Sequence, residues 1–155
     1  MSSFKGSFNY TVDNKGRINI PAKMRKNLAP EANNSFVITR GFENCIFVYP
    51  NDEWAKREAE LGKLQQTNKQ DRLFTRLLLQ NAVDVELDGQ HRIVLSKELM
   101  EYANITGEVF ILGAFDRIEV WNPEEYKKYL EAQQEDYVTV AEKVFEKKRV
   151  SIRQP

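Results

Sequence analysis

The feature that most constrains this chain is that it carries one pattern twice. Asp13-Asn14-Lys15-Gly16-Arg17-Ile18-Asn19-Ile20-Pro21 reappears as Asp88-Gly89-Gln90-His91-Arg92-Ile93-Val94-Leu95-Ser96. Asp and Arg stand four residues apart in both copies, and an apolar strand follows each Arg. Downstream, Ile38-Thr39-Arg40-Gly41 answers Phe110-Ile111-Leu112-Gly113, with a spacing about three residues shorter in the second copy. Ile46-Phe47-Val48-Tyr49, leading to Trp54, then answers Ile118-Glu119-Val120-Trp121, leading to Tyr126. A repeat at this spacing is one supersecondary unit used twice.

Each copy reads the same way. Phe4, Phe8, Tyr10 and Val12 alternate with Lys5, Ser7, Asn9 and Thr11, the period of two of a half-buried strand. Asp13-Asn14-Lys15-Gly16 is a turn, because Asp and Asn bond nearby backbone and Gly accepts positive φ. Arg17–Ile20 is then expected as the return strand of a hairpin, and Pro21 as the first residue of a short helix through Met24 to Leu28. Strands follow at about Ser35–Arg40 and Cys45–Tyr49, and a helix enters at Asn51 or Asp52. In the second copy Val83, Val85 and Leu87 form the first strand and Asp88–His91 the turn. Ser96 is expected to cap a helix through Leu99 and Tyr102, and Asn122-Pro123-Glu124-Glu125 to open the next. Between the copies, Trp54–Leu64 and Asp71–Asn81 read as helices broken near Thr67-Asn68, with Leu73, Phe74, Leu77 and Leu78 as an apolar stripe. After Glu135 a last helix shows Tyr137, Ala141, Val144 and Phe145 on one face and ends in a basic tail.

Composition narrows the function classes. The 155 residues are 41% hydrophobic and 30% charged, which suits a folded chain with its own core. The single cysteine, Cys45, lies in an apolar run, so no intrachain disulfide forms; it is expected as a buried strand residue. No run approaches the roughly 20 apolar residues of a membrane span, and the N-terminus lacks the apolar core of a signal peptide. A cytoplasmic protein is expected. One His and one Cys, far apart, leave no paired spacing for zinc, so no metal site is expected. Nucleophile elbows and phosphate-binding glycine loops are missing, and only generic carboxylates support an enzyme. The expectation is a non-enzyme with no cofactor and no small-molecule substrate.

With Asp13-Asn14-Lys15-Gly16-Arg17-Ile18-Asn19-Ile20-Pro21-Ala22, the chain resembles the MraZ family of the swapped-hairpin (SpoVT-AbrB-like) superfamily. The family's doubled Asp-x-x-x-Arg motif stands here at Asp13/Arg17 and Asp88/Arg92. Thr39-Arg40-Gly41, Tyr49-Pro50 with Trp54, and Glu119-Val120-Trp121 resemble its flanking segments. The resemblance covers nearly the whole chain. It implies a bacterial transcriptional regulator, typically a repressor of the cell-division and cell-wall gene cluster that it heads. It also implies rings of many subunits on repeated promoter DNA and, by extension, association with the nucleoid. The second motif departs from the pattern, with His91 where Gly is usual and Ser96 where Pro is usual. A His is harder to place at positive φ, which puts the DNA-reading shape of the second tip in question.

The fold expected is α+β: two tandem swapped-hairpin, AbrB-like β-rich units in pseudo-twofold relation. The first unit spans 7–54, a helical connector 55–82, the second unit 83–126, and a C-terminal helix with basic tail 127–155. Asp13, Gly16, Asp88 and Arg92 are structural-motif residues. Arg17 either completes an ion pair with Asp13 or, beside Lys15, faces DNA, since a two-stranded ribbon fits the major groove. Lys23, Arg25 and Lys26 are either a solvated helix face or phosphate contacts. The candidate DNA-binding set is therefore Lys15, Arg17, Lys23, Arg25 and Lys26.

Net charge is zero, with 23 cationic and 23 anionic residues, yet the distribution is uneven. Residues 1–28 hold six cations against Asp13, a net of +5, while residues 84–155 hold ten cations against fifteen acids. Duplex promoter DNA and further copies of the chain are the expected partners. The alternative is a protein-interaction or scaffold module of the same fold without DNA binding.

Overall fold

The computed structural model describes residues 1–153, with side chains for 1–147. Among the described residues eight strands and six α-helices follow one another in an α+β fold. The strands are β1 (Ser7–Thr11), β2 (Arg17–Asn19), β3 (Ser35–Arg40), β4 (Ile46–Pro50), β5 (Val83–Glu86), β6 (Arg92–Val94), β7 (Glu108–Gly113) and β8 (Ile118–Trp121). The helices are α1 (Ala22–Arg25), α2 (Asn51–Leu61), α3 (Lys69–Leu79), α4 (Lys97–Tyr102), α5 (Pro123–Glu131) and α6 (Tyr137–Arg153). Residues Met1–Glu125 make one compact unit, and a second begins at Tyr126.

Strand pairing departs from the local reading. β2 was expected to return along β1 as a hairpin, but the two do not pair. β1 pairs antiparallel with β7 of the second repeat, with Phe8 opposite Ile111 and Tyr10 opposite Val109. β5 does the same on β3 of the first repeat, with Val83 opposite Ile38 and Val85 opposite Phe36. A six-stranded sheet of order β1-β7-β8-β4-β3-β5 results, its two halves related by a pseudo-twofold axis between β8 and β4. The second strands of the two repeats, β2 and β6, meet each other in a separate two-stranded ribbon. Each repeat thus lends its first strand to the other, which is the exchange that defines a swapped hairpin.

The core follows from this exchange. Ile18 and Ile93 from the ribbon, Ile20, Leu95, Met24 and Leu99 beyond it, and Ile38, Ile46, Ile111 and Ile118 from the sheet bury together. Each such side chain contributes on the order of 1.5–3 kcal/mol relative to exposure, so residues of both repeats stabilise one core. Because strand side chains alternate, Phe47 and Tyr49 point to the opposite sheet face. There α2 and α3 cover the first repeat, Thr39 Oγ1 donating to the Leu78 carbonyl at 2.6 Å. Cys45, directly before β4, is buried as expected, and burial pushes its thiol pKa up.

Helix ends are set locally. Asn68 Oδ1 accepts the Asp71 amide at 3.0 Å, starting α3 where a break was expected. Ser96 Oγ accepts the Leu99 amide at 3.3 Å, and Asn122 Oδ1 takes the amides of Glu124 and Glu125. Pro21 stands one residue earlier than expected, as the N-cap of α1, its carbonyl accepting the amides of Met24 and Arg25. The stripe on α3 keeps helical spacing but is not buried: Leu73 is 47% and Leu77 41% exposed. In the second unit, Asp136 Oδ1 caps α6 through the Thr139 amide, and Tyr137, Val144 and Phe145 are solvent-exposed. No described helix is long and apolar enough to cross a membrane. The side chains of Lys148, Arg149 and Arg153 in the expected basic tail lie outside the described residues.

Candidate nucleic-acid interface

Both turns are built by their aspartates. Asp13 Oδ1 accepts the amides of Lys15 and Arg17, each at 2.9 Å, while Oδ2 takes Arg17 Nε at 2.6 Å. Asp88 repeats this with Gln90 at 2.8 Å, Arg92 at 2.9 Å and Arg92 Nε at 2.8 Å. The carboxylate closes the ring of amides, and the guanidinium four residues on holds it there. The Arg17 amide is the chief cause that keeps the Asp13 carboxyl below its ordinary pKa, with the Arg17 guanidinium and Lys15 amide adding to it. The Arg92 amide does the same for Asp88, helped by the Gln90 amide. The structural reading of both Asp–Arg pairs is thus what the geometry displays, and Arg17 keeps only its two Nη groups for any other partner.

The turns are equivalent in shape despite their different sequences. Gly16 has φ +78° and His91 φ +64°, both left-handed. The Gly16 carbonyl accepts the Leu95 amide at 2.7 Å, and the His91 carbonyl accepts the Ile20 amide at 3.0 Å. The departure at His91 therefore leaves the backbone of the second tip unchanged, at the cost of placing a side chain where glycine is easier. At Gly16 a Cβ would lie 2.9 Å from the Leu95 carbonyl oxygen.

Between the turns lies the ribbon of β2 and β6. Arg17 pairs with Val94, Ile18 with Ile93, and Asn19 with Arg92. Ile18 and Ile93 point into the core, so alternation turns Arg17, Asn19, Arg92 and Val94 outward. Val94 is 50% exposed and Asn19 is exposed, its Nδ2 donating across to the Gln90 carbonyl at 3.2 Å. Asn19 and the outward role of Arg92 were missed in the sequence, because only the cross-pairing of the repeats sets them side by side with Arg17.

Exchange also redistributes the candidate cations. The first turn, with Lys15, lies against α4 of the second repeat in a pocket lined by Leu95, Lys97, Met100 and Glu101. Lys23, Arg25 and Lys26 follow the other end of β2. Arg25 Nε donates to the Ile20 carbonyl at 3.1 Å, and the Ile20 amide bonds His91, so α1 lies beside the second turn. Lys15, Lys23 and Lys26 are exposed, whereas Arg17 and Arg25 are partly buried. The five candidates are not one cluster. Lys15 and Arg17 stand at one end of the ribbon, and Lys23, Arg25 and Lys26 at the other.

Among the described residues no group of three or more His, Cys, Asp or Glu side chains is placed to hold a metal ion. What the arrangement offers is an exposed two-stranded ribbon with arginines outward and lysines at both ends. Such a ribbon suits the major groove, where arginine and asparagine read base edges and lysines reach phosphates.

The MraZ protein family model matches the chain twice, over residues 3–77 and 78–148. A protein of Lactobacillus delbrueckii subsp. bulgaricus is 43% identical over 139 residues, covering 90% of this chain and 94% of its own length. A Clostridium tetani protein is 40% identical over 143 residues, covering 92% and 97%. A Natranaerobius thermophilus protein is 39% identical over 141 residues, covering 91% and 96%. All three are named transcriptional regulator MraZ. With the doubled motif, the exchanged strands and both family matches in agreement, the chain belongs to the MraZ family of transcriptional regulators.

Proposed function

We propose that this transcriptional regulator is a sequence-specific DNA-binding repressor of the bacterial cell-division and cell-wall gene cluster, working in the cytoplasm on the nucleoid. It binds promoter repeats as a ring of copies, each presenting its ribbon to the major groove. The observation that carries this reading is the solvent-facing row of Arg17, Asn19 and Arg92, with Lys15 at one end and α1 at the other. Lys15 and the cations of α1 supply phosphate contacts, and the outward ribbon residues read bases.

One ribbon with so few cations binds weakly, about 10⁻⁴ to 10⁻⁶ M for non-specific contacts at physiological salt. Several ribbons on one assembly gain about 10²- to 10⁴-fold through effective concentration, so assembly is part of the mechanism. A gel-shift titration against tiled DNA from upstream of the protein's own gene tests this. Lys15→Ala and Arg17→Ala should each weaken binding, and each lost phosphate contact should lower the log–log salt slope by about 0.9. Parental binding by both variants would instead favour the interaction-module reading, with the Asp–Arg pairs serving only the turns.

A further inference from the structure

Among the described residues, two exposed apolar stripes, on α3 and on α6, carry opposite charge along one edge. On α3, Leu73 and Leu77 are 47% and 41% exposed, while Leu78 on the other side lines a cleft of about 300 Å³ over Phe47 and Tyr49. Arg72 and Arg76, spaced i and i+4, border that stripe at the helical angle next to Leu73. On α6, Tyr137, Ala141 and Phe145 form a stripe of the same spacing, Tyr137 being 87% and Phe145 65% exposed. Glu142 and Glu146, also i and i+4, border it and share its shallow pocket.

Like charges at i and i+4 destabilise an isolated helix by a few tenths of a kcal/mol. Both helices therefore tolerate a repulsive pair beside an exposed apolar row, an arrangement relieved when the opposite row arrives. Viewed from the N-terminus of each helix, the arginines lie on one side of their stripe and the glutamates on the opposite side of theirs. Face-to-face packing brings such edges together when the helices run parallel, as the g and e edges meet in a parallel coiled coil.

We propose that α3 of one copy packs in parallel against α6 of a second copy, Leu73 and Leu77 against Tyr137, Ala141 and Phe145, with Arg72 and Arg76 facing Glu142 and Glu146. Because the two surfaces differ, the contact is heterologous and propagates head to tail, making a ring where the rotation closes. This assignment rests on the assembly reading above and supplies its interface.

Size-exclusion chromatography with light scattering tests it at about 0.15 M salt, with circular dichroism confirming that each variant is folded. Arg72→Glu/Arg76→Glu should lower the assembled mass, and so should Glu142→Lys/Glu146→Lys. Combining all four substitutions in one chain should restore the parental mass. Unchanged mass in either pair, or no restoration, overturns the interface while leaving the assembly reading intact. A parental protein that runs at its monomer mass of 18.1 kDa removes both. In a Cys45→Ala background, mixing a Leu77→Cys chain with an Ala141→Cys chain should yield a disulfide-linked heterodimer. Crosslinking only when both cysteines share one chain overturns the intermolecular contact.

Discussion

The two ends of the ribbon have the same backbone and unlike charge. At the first, Lys15 and Lys97 share a pocket with Asp13 and Glu101, and Arg17 is ion-paired to Asp13, so the charges balance. At the second, Arg92 is ion-paired to Asp88, and Lys23, Arg25 and Lys26 in and after α1 lie beside the turn. Along the sequence the charge looks different, since Lys15, Arg17 and the cations of α1 belong to one repeat. Strand exchange carries α1 to the tip of the other repeat and sets the more acidic α4 beside Lys15. Pseudo-symmetry of the fold and asymmetry of charge are thus combined in one surface, and a duplex lying across it meets two unlike ends.

The sharpest way to break the likeness of the two turns is at their left-handed residues. Gly16→Val should cost about 2–3 kcal/mol, because a β-branched side chain at φ +78° also meets the Leu95 carbonyl oxygen. His91→Gly should gain about 0.5–1 kcal/mol by removing a side chain from that region. Urea midpoints at unchanged m-value give both numbers; equal effects of opposite turns on stability would end the comparison.

The charge difference predicts a smaller, graded effect on DNA. Lys23→Gln/Lys26→Gln at the second end should lower the log–log salt slope by about 1.8, and Lys15→Gln at the first by about 0.9. Fluorescence anisotropy over a salt series reads both, and a larger change from Lys15→Gln would place the dominant phosphate contacts at the first end.

The smallest effect is shared by the ends and checks that their turns are built alike. Both aspartates have native pKa values below the ordinary value, which in the denatured chain is about 3.9. The denatured state therefore takes up protons first as pH falls. The stabilisation is full above about pH 4 and is lost as pH drops through the lower native values. Asp13→Asn and Asp88→Asn should each flatten this acid limb to the same degree in thermal melts between about pH 2 and 6.

Legibility followed the range of the interactions. Turns and caps were readable because their bonds span two to four residues: Asp13 to Lys15 and Arg17, Ser96 to Leu99, Asn122 to Glu124. The doubled Asp-x-x-x-Arg pattern led to the right family for the same reason, since each copy is a short contiguous signature. The partner of β1 was not readable locally. A period of two tells which face of a strand is buried and says nothing of which strand lies beside it. Nor did the stripe on α3 announce that it would stay exposed, because helical spacing marks a face for burial without naming what buries it.

The sequence by itself determined the repeat, both turns, the caps at Ser96 and Asn122, and the family. Only the tertiary structure decided that β2 meets β6, that Asn19 and Arg92 join Arg17 on one surface, and that the cations divide between two ends. The physical reason is that these pairings join residues about 70–100 positions apart, where hydrogen-bond partners are chosen by the shared burial of Ile18, Ile93 and the sheet core.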